Sequence, residues 1–140
     1  MDELDELWIL NESGACMFNY AVDSKMDPLL FGSFFTAINQ FGKQCSDTAI
    51  DDITMGKNFL MSMFLPDYHT TIVARSTHTK KRKNMKKMLK EISIQFIQHF
   101  QPYQIIDWDG NLDLFEDFEQ FIVSYFNRSE KMVQNMKMIF

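Results

Sequence analysis

The segment Phe59-Leu60-Met61-Ser62-Met63-Phe64-Leu65 is apolar on both alternating sets of positions. Successive side chains of a β-strand point to opposite faces, so such a strand has both faces of its sheet covered. Helices must therefore lie on each side of whatever sheet contains it. A membrane span is excluded for the segment, because crossing a bilayer as a helix takes about 20 apolar residues.

The flanking sequence supplies the remaining elements. Leu7-Trp8-Ile9-Leu10 stops at the turn cluster Asn11-Glu12-Ser13-Gly14, and Ala15 to Val22 follows as a second strand, so the two form an antiparallel hairpin. Asp27-Pro28 opens a helix, with Asp placed to cap and Pro at the first position. Its apolar residues recur at three- and four-residue steps, with Phe31, Phe34, Ile38 and Phe41 expected inward. Leu30, Phe35 and Ala37 broaden the stripe and are expected at its rim, open to a partner or a second copy.

Ile50 to Met55 and Thr70 to Ser76 read as strands on either side of Phe59 to Leu65, with turns at Gly56-Lys57-Asn58 and Pro66-Asp67-Tyr68-His69. A long helix carries Met85, Met88, Leu89, Ile92, Phe96 and Phe100 on one face and is expected to end at Pro102. Trp108-Asp109-Gly110-Asn111 reads as a turn. Asp113 and Glu116 are spaced as a capping box ahead of a helix striped by Phe115, Phe118, Ile122, Tyr125 and Phe126. Met132 to Phe140 continues a helical pattern. The expected fold class is α+β: a five-stranded antiparallel sheet in the order β-β-α-β-β-β-α-α, with one helix on one face and two or three on the other. It forms one domain over 1–140, with a core at about 4–126 and a helical extension at 127–140.

Composition narrows the function. With 46% hydrophobic residues and 14 Phe in 140 positions, the chain has ample material for a core. Its net charge of −5 argues against nucleic acid as the partner of the whole molecule. Two cysteines without a CxxC, and an acidic start through Glu6 unlike a secretion signal, make a reducing cytoplasmic setting the expectation.

Catalytic and cofactor chemistry finds no anchor in the sequence. His69, His78 and His99 share no metal-ligand spacing with each other or with Cys16 and Cys45, so no metal is expected. Both cysteines fall on core-facing patterns. The glycines are isolated, which leaves no backbone cradle for phosphate and no cofactor. The acidic cluster Asp107, Asp109, Asp113, Glu116, Asp117 and Glu119 is explained by a turn and a helix start, where carboxylates meet the helix dipole favourably. A non-enzyme is expected.

Half of the 14 basic residues stand in one run without an acid: Lys80, Lys81, Arg82, Lys83, Lys86, Lys87 and Lys90. The bland reading is a solvated loop and helix face. The functional one is docking to an acidic surface, either an anionic membrane or an acidic patch on a protein, where each residue can add about 1 kcal/mol near a charged leaflet. Nucleic acid is the weaker candidate, because the run lacks interleaved aromatics.

The element order, read with three local motifs, resembles the longin domain, a small profilin-like fold. The motifs are Leu7-Trp8-Ile9-Leu10 with Gly14, the helix Phe34-Phe35-Thr36-Ala37-Ile38-Asn39-Gln40-Phe41, and Trp108-Asp109-Gly110. Covering about residues 4 to 126, the chain is similar to single-domain longin-like proteins of archaea related to eukaryotic trafficking machinery. The related roadblock fold begins with an extra helix, for which no room is expected ahead of Leu7. The resemblance implies a non-catalytic module that binds a small GTPase, a trafficking-type partner or another longin or roadblock protein through its first helix and the adjacent strand. A homodimer, or a roadblock-like homodimeric GTPase regulator, is the neighbouring expectation. The stretch after Asn127 reads as too short for coiled-coil heptads or a membrane anchor, so the role of the family's fusion-protein members is not expected.

Overall fold

The computed structural model describes residues 4–22, 27–46, 51–78 and 82–126. The strands are β1 (Glu6–Leu10), β2 (Cys16–Ala21), β3 (Asp52–Met55), β4 (Asn58–Leu65) and β5 (Thr70–Ser76). The helices are α1 (Pro28–Ser46), α2 (Arg82–His99), a short α3 (Pro102–Ile106) and α4, residues 116–126, entered through a 3-10 turn at Leu112–Phe115. The expected α+β class and strand count hold. The extension at 127–140 lies outside the described residues.

All strand pairs are antiparallel, in the order β2-β1-β5-β4-β3, so β5 is central and β2 and β3 form the edges. The segment Phe59 to Leu65 is thus interior to the sheet, between β3 and β5. Its two faces are not equally covered. Phe59, Met61 and Leu65 are buried on one face and Leu60 on the other, but Phe64 keeps 56% of its surface exposed. Coverage on both sides is therefore complete only over the first half of the strand.

One face carries the thick core. Leu7, Ile9, Met61, Ile72 and Ala74 meet Met85, Leu89, Ile92 and Phe96 of α2 and Phe118, Ile122 and Phe126 of α4. A register shift between Ile9 and Leu10 brings both Met17 and Phe18 of β2 into this core, as an extra residue on one strand does. Phe96, Phe100, Phe115 and Phe118 pack with ring centroids 4.9–5.8 Å apart, within the range aromatic pairs favour. Pro102 opens α3 rather than merely ending α2, because its fixed φ suits a first helical position. Asn111, not Asp113, caps the next turn by accepting from the Asp113 amide at 3.0 Å.

The other face is thin. Among the described residues, Trp8, Leu10, Leu60 and Val73 are covered by Phe31 and Phe35 of α1, with Cys16 and Met55 packed at the margin. Asp27 caps α1 by accepting from the Leu29 amide at 3.0 Å, as its sequence indicates. Two features fix the roll and height of the helix. Phe31 stacks on Trp8 with centroids 3.8 Å apart, and Gly32 lies against Gly14 of the hairpin turn. A Cβ on Gly32 would run into the Gly14 carbonyl oxygen, and one on Gly14 into the Thr36 hydroxyl. Gly14 also holds φ at +88°, which other residues rarely adopt.

Candidate functional site

The roll of α1 corrects the expected division of its aromatic residues. Phe35 is core, 3% exposed, whereas Leu30 at 70% and Ala37 are exposed as expected. Phe34 and Phe41, expected inward, are 39% and 64% exposed. With the Trp8–Phe31 stack and the glycine contact fixed, the inward stripe runs through Phe31, Phe35, Ile38 and Gly42 at 100° per residue. Residues 30, 34, 37 and 41 form a second stripe one position earlier. Gly32 was the signal available in the sequence: a glycine inside a helix marks a close approach of backbone.

A third side of α1 borders a groove. Thr36, Asn39, Gln40 and Lys43 form one wall, and Ser62 and Phe64 of β4 with Thr71 of β5 line the sheet side. The hairpin turn at Asn11, Glu12 and Gly14 and the β4–β5 turn at Pro66 and His69 close one end. The volume is about 560 Å³. Strand parity places Phe64 here: Leu60, Ser62 and Phe64 share the face of α1, and register sets Phe64 opposite Thr71. The helix reaches Leu60 with its phenylalanines but leaves Phe64 uncovered.

The end of the groove is well built. Asn11 Oδ1 accepts from the amides of Ser13 and Ala15 and from the Ser13 hydroxyl, at 2.8–3.0 Å, which fixes the hairpin turn. His69 sits in the left-handed region at φ +50°, and its Nδ1 lies 3.3 Å from the Glu12 carboxylate, linking the two turns. Both side chains are exposed, so the link contributes little stability.

Two acids at the start of the chain turn out to be structural. The Glu6 carboxylate is fully buried and takes a hydrogen bond from Arg75 at 3.1 Å and another from Asn19 at 3.0 Å. Arg75 also donates to Asn58 Oδ1 at 3.0 Å. Asp5 accepts from the Thr77 hydroxyl at 2.8 Å. Sequence reading missed this cluster, although a charged residue opening an otherwise apolar strand was its mark. Burial, and secondarily the Asp67 carboxylate, raises the pKa of the Tyr68 phenol, which donates to the Phe100 carbonyl at 2.6 Å.

The basic run resolves into a helix face. Lys80 and Lys81 lie outside the described residues; Lys83, Lys86, Lys87 and Lys90 are exposed on α2. Arg82 is paired with Asp52 at 2.8 Å and Asp51 at 3.5 Å, so it is tied to the β3 edge. Further along the same side of α2, Ile94 and Ile97 are 45% and 47% exposed. Cys45, expected to face the core, is exposed at the end of α1, and Cys16 is half-buried. Among the described residues no cluster of three or more His, Cys, Asp or Glu is placed to hold a metal, and no helix is long and apolar enough to cross a membrane.

The fold and this surface define an α+β domain with one fully covered and one partly covered sheet face. No protein-family model matches the chain, and no curated protein matches it.

Proposed function

We propose that the chain is a non-catalytic interaction module that holds a protein partner in the groove between α1 and β4. The observation that carries this reading is Phe64: a large aromatic side chain, 56% exposed, on the sheet face that α1 otherwise covers. Fully burying such a side chain is worth about 1.5–3 kcal/mol, of which roughly half is left for whatever covers Phe64. The Thr36 and Gln40 side chains along the opposite wall give the groove a polar rim. The longin resemblance adds the kind of partner, a small GTPase or a related trafficking-type protein. The test is direct binding of purified small GTPases, loaded with diphosphate or triphosphate nucleotide, to the wild-type chain and to Phe64→Glu. Saturable binding weakened at least tenfold by Phe64→Glu is expected; binding to neither form, or binding indifferent to that substitution, overturns the proposal.

A second reading concerns α2. Lys83, Lys87, Lys90, Ile94 and Ile97 follow one another at four- and three-residue steps and so share one side of the helix. Basic residues continued by exposed aliphatic ones suit an anionic membrane surface, with the ammonium groups on headgroups and the isoleucines at the acyl boundary. Flotation with vesicles containing phosphatidylserine checks it. Binding that rises with anionic lipid and is lost in Lys87→Glu/Lys90→Glu supports it, and indifference to those charges dismisses it.

A further inference from the structure

Three buried polar atoms lack a hydrogen-bond partner among the described residues: Nε1 of Trp8, Oδ1 of Asn19 and Nε of Arg75. A buried polar group left unpaired loses its water and gains nothing in return, so folded proteins keep few of them. Here all three stand on one face of the sheet. Glu6, Trp8 and Leu10 alternate onto the same side of β1, and register sets Asn19 opposite Trp8 and Arg75 opposite Glu6. This is the face under α1, since Phe31 stacks on Trp8. Among the described residues the thick core holds no such atom.

The helix above these atoms is held by little of its own surface. Of its large apolar side chains, Phe31 and Phe35 are buried, whereas Leu29, Leu30, Phe34 and Phe41 are exposed. By comparison, α2 buries Met85, Leu89, Ile92 and Phe96. Backbone hydrogen bonds of a helix close within it, so α1 can leave the sheet without breaking a strand ladder. Lifting it uncovers a cluster of six apolar side chains, which opposes the motion. Lifting also lets water reach the Trp8 indole N–H, which favours it. From this asymmetry we propose that α1 is a detachable cover, which lifts off as one helix while the sheet and the thick core stay folded. Partial opening of this kind releases the least stable cooperative unit of a fold ahead of the rest. The Thr36 and Gln40 wall of the groove travels with the helix, so a ligand bound in the groove holds the cover down. That last consequence rests on the groove being the binding site; the opening itself does not.

The test is native-state hydrogen exchange of the full chain, followed by NMR at urea concentrations below the unfolding transition. Two reporters are read together: the amides in the middle of α1, from Phe34 to Phe41, and the Trp8 indole N–H. Both are expected to exchange at least about 100-fold faster than the amides of Leu89, Ile92 and Phe96 in α2, after correction for intrinsic rates. They should share one urea slope, smaller than that of the α2 amides, because less surface is exposed. Two variants separate the units. Phe31→Ala removes the stacked ring and speeds both reporters by roughly tenfold or more. Ile122→Val weakens only the thick core, which the closed and opened forms share. It is expected to speed the α2 amides roughly fivefold and to leave α1 and the indole unchanged. Reporters that exchange only at the pace of α2 overturn the inference, and so does an Ile122→Val variant in which α1 speeds up in step with α2. An indole that stays protected while the α1 amides exchange also overturns it, since the helix then frays in place without lifting. None of these outcomes bears on Phe64, whose own test reads partner binding.

Discussion

The two faces of the sheet differ in how much of the chain covers them. On one, β1, β2, β4 and β5 are sealed by α2, α3 and α4 in a cluster that includes twenty-one buried residues among those described. On the other, among the described residues, Phe31 and Phe35 of α1 complete a cluster of six with Trp8, Leu10, Leu60 and Val73. Three exposed aromatic side chains, Phe34, Phe41 and Phe64, stand on the thin side, and Tyr103 stands on α3 of the other. On the thick side what stays open is the outer surface of the helices, as at Ile94 and Ile97 of α2. A layer covered by one helix presents both the flank of that helix and the strip of sheet beside it.

The contrast can be broken from either side. The largest effect is expected in the thick core, where Phe118 is fully buried against the rings of Phe18, Phe96 and Phe100. Phe118→Ala should cost about 3–5 kcal/mol in denaturant unfolding, from lost transfer energy and the cavity left behind. On the thin face, the ion pair is the vulnerable point. Arg75→Met leaves the Glu6 carboxylate buried without its counter-charge and should cost about 3 kcal/mol, most of which Glu6→Leu/Arg75→Met recovers.

A smaller effect separates the faces by pH. Folding raises the Tyr68 phenol pKa, so the folded state holds that proton longer than the unfolded chain, whose tyrosine titrates near 10. The associated stability is complete below about pH 10 and is lost as pH rises through the folded value. Tyr68→Phe should cost about 1–2 kcal/mol at neutral pH, because the Phe100 carbonyl loses its donor, and should flatten the alkaline decline in melting temperature. The smallest change belongs to the groove: Phe64→Ser, at an exposed position, should alter stability by no more than about 0.5 kcal/mol. A loss of several kcal/mol there would mean that Phe64 serves the core and not a partner.

Much of the architecture could be read from particular residues. Asp27-Pro28 marked the start of α1, the alternating content of Phe59 to Leu65 required helices on both faces, and Phe115, Phe118, Ile122 and Phe126 gave the inward stripe of α4. These are local signals, set by backbone geometry and by a periodicity that one segment carries alone. The working surface was less legible. Leu30 and Ala37 emerged where expected, but Phe35 went inward and Phe34 and Phe41 outward, because a helix with two adjacent apolar stripes can present either to a sheet.

By itself, then, the sequence marked the five strands and the helices α1, α2 and α4, though not α3, and indicated an antiparallel sheet covered on two sides. Periodicity, caps and turn residues are properties of a dozen neighbouring positions, and they act before any long-range contact exists. Only the tertiary structure decided the roll of α1, the exposure of Phe64 and the burial of Glu6 against Arg75. Each depends on packing between separate segments: Gly14 against Gly32, α1 covering Leu60 but not Phe64, and β1 paired with β5 across some seventy residues. Packing chooses among faces that the local pattern leaves equivalent, and here that choice set which side of the molecule stays open.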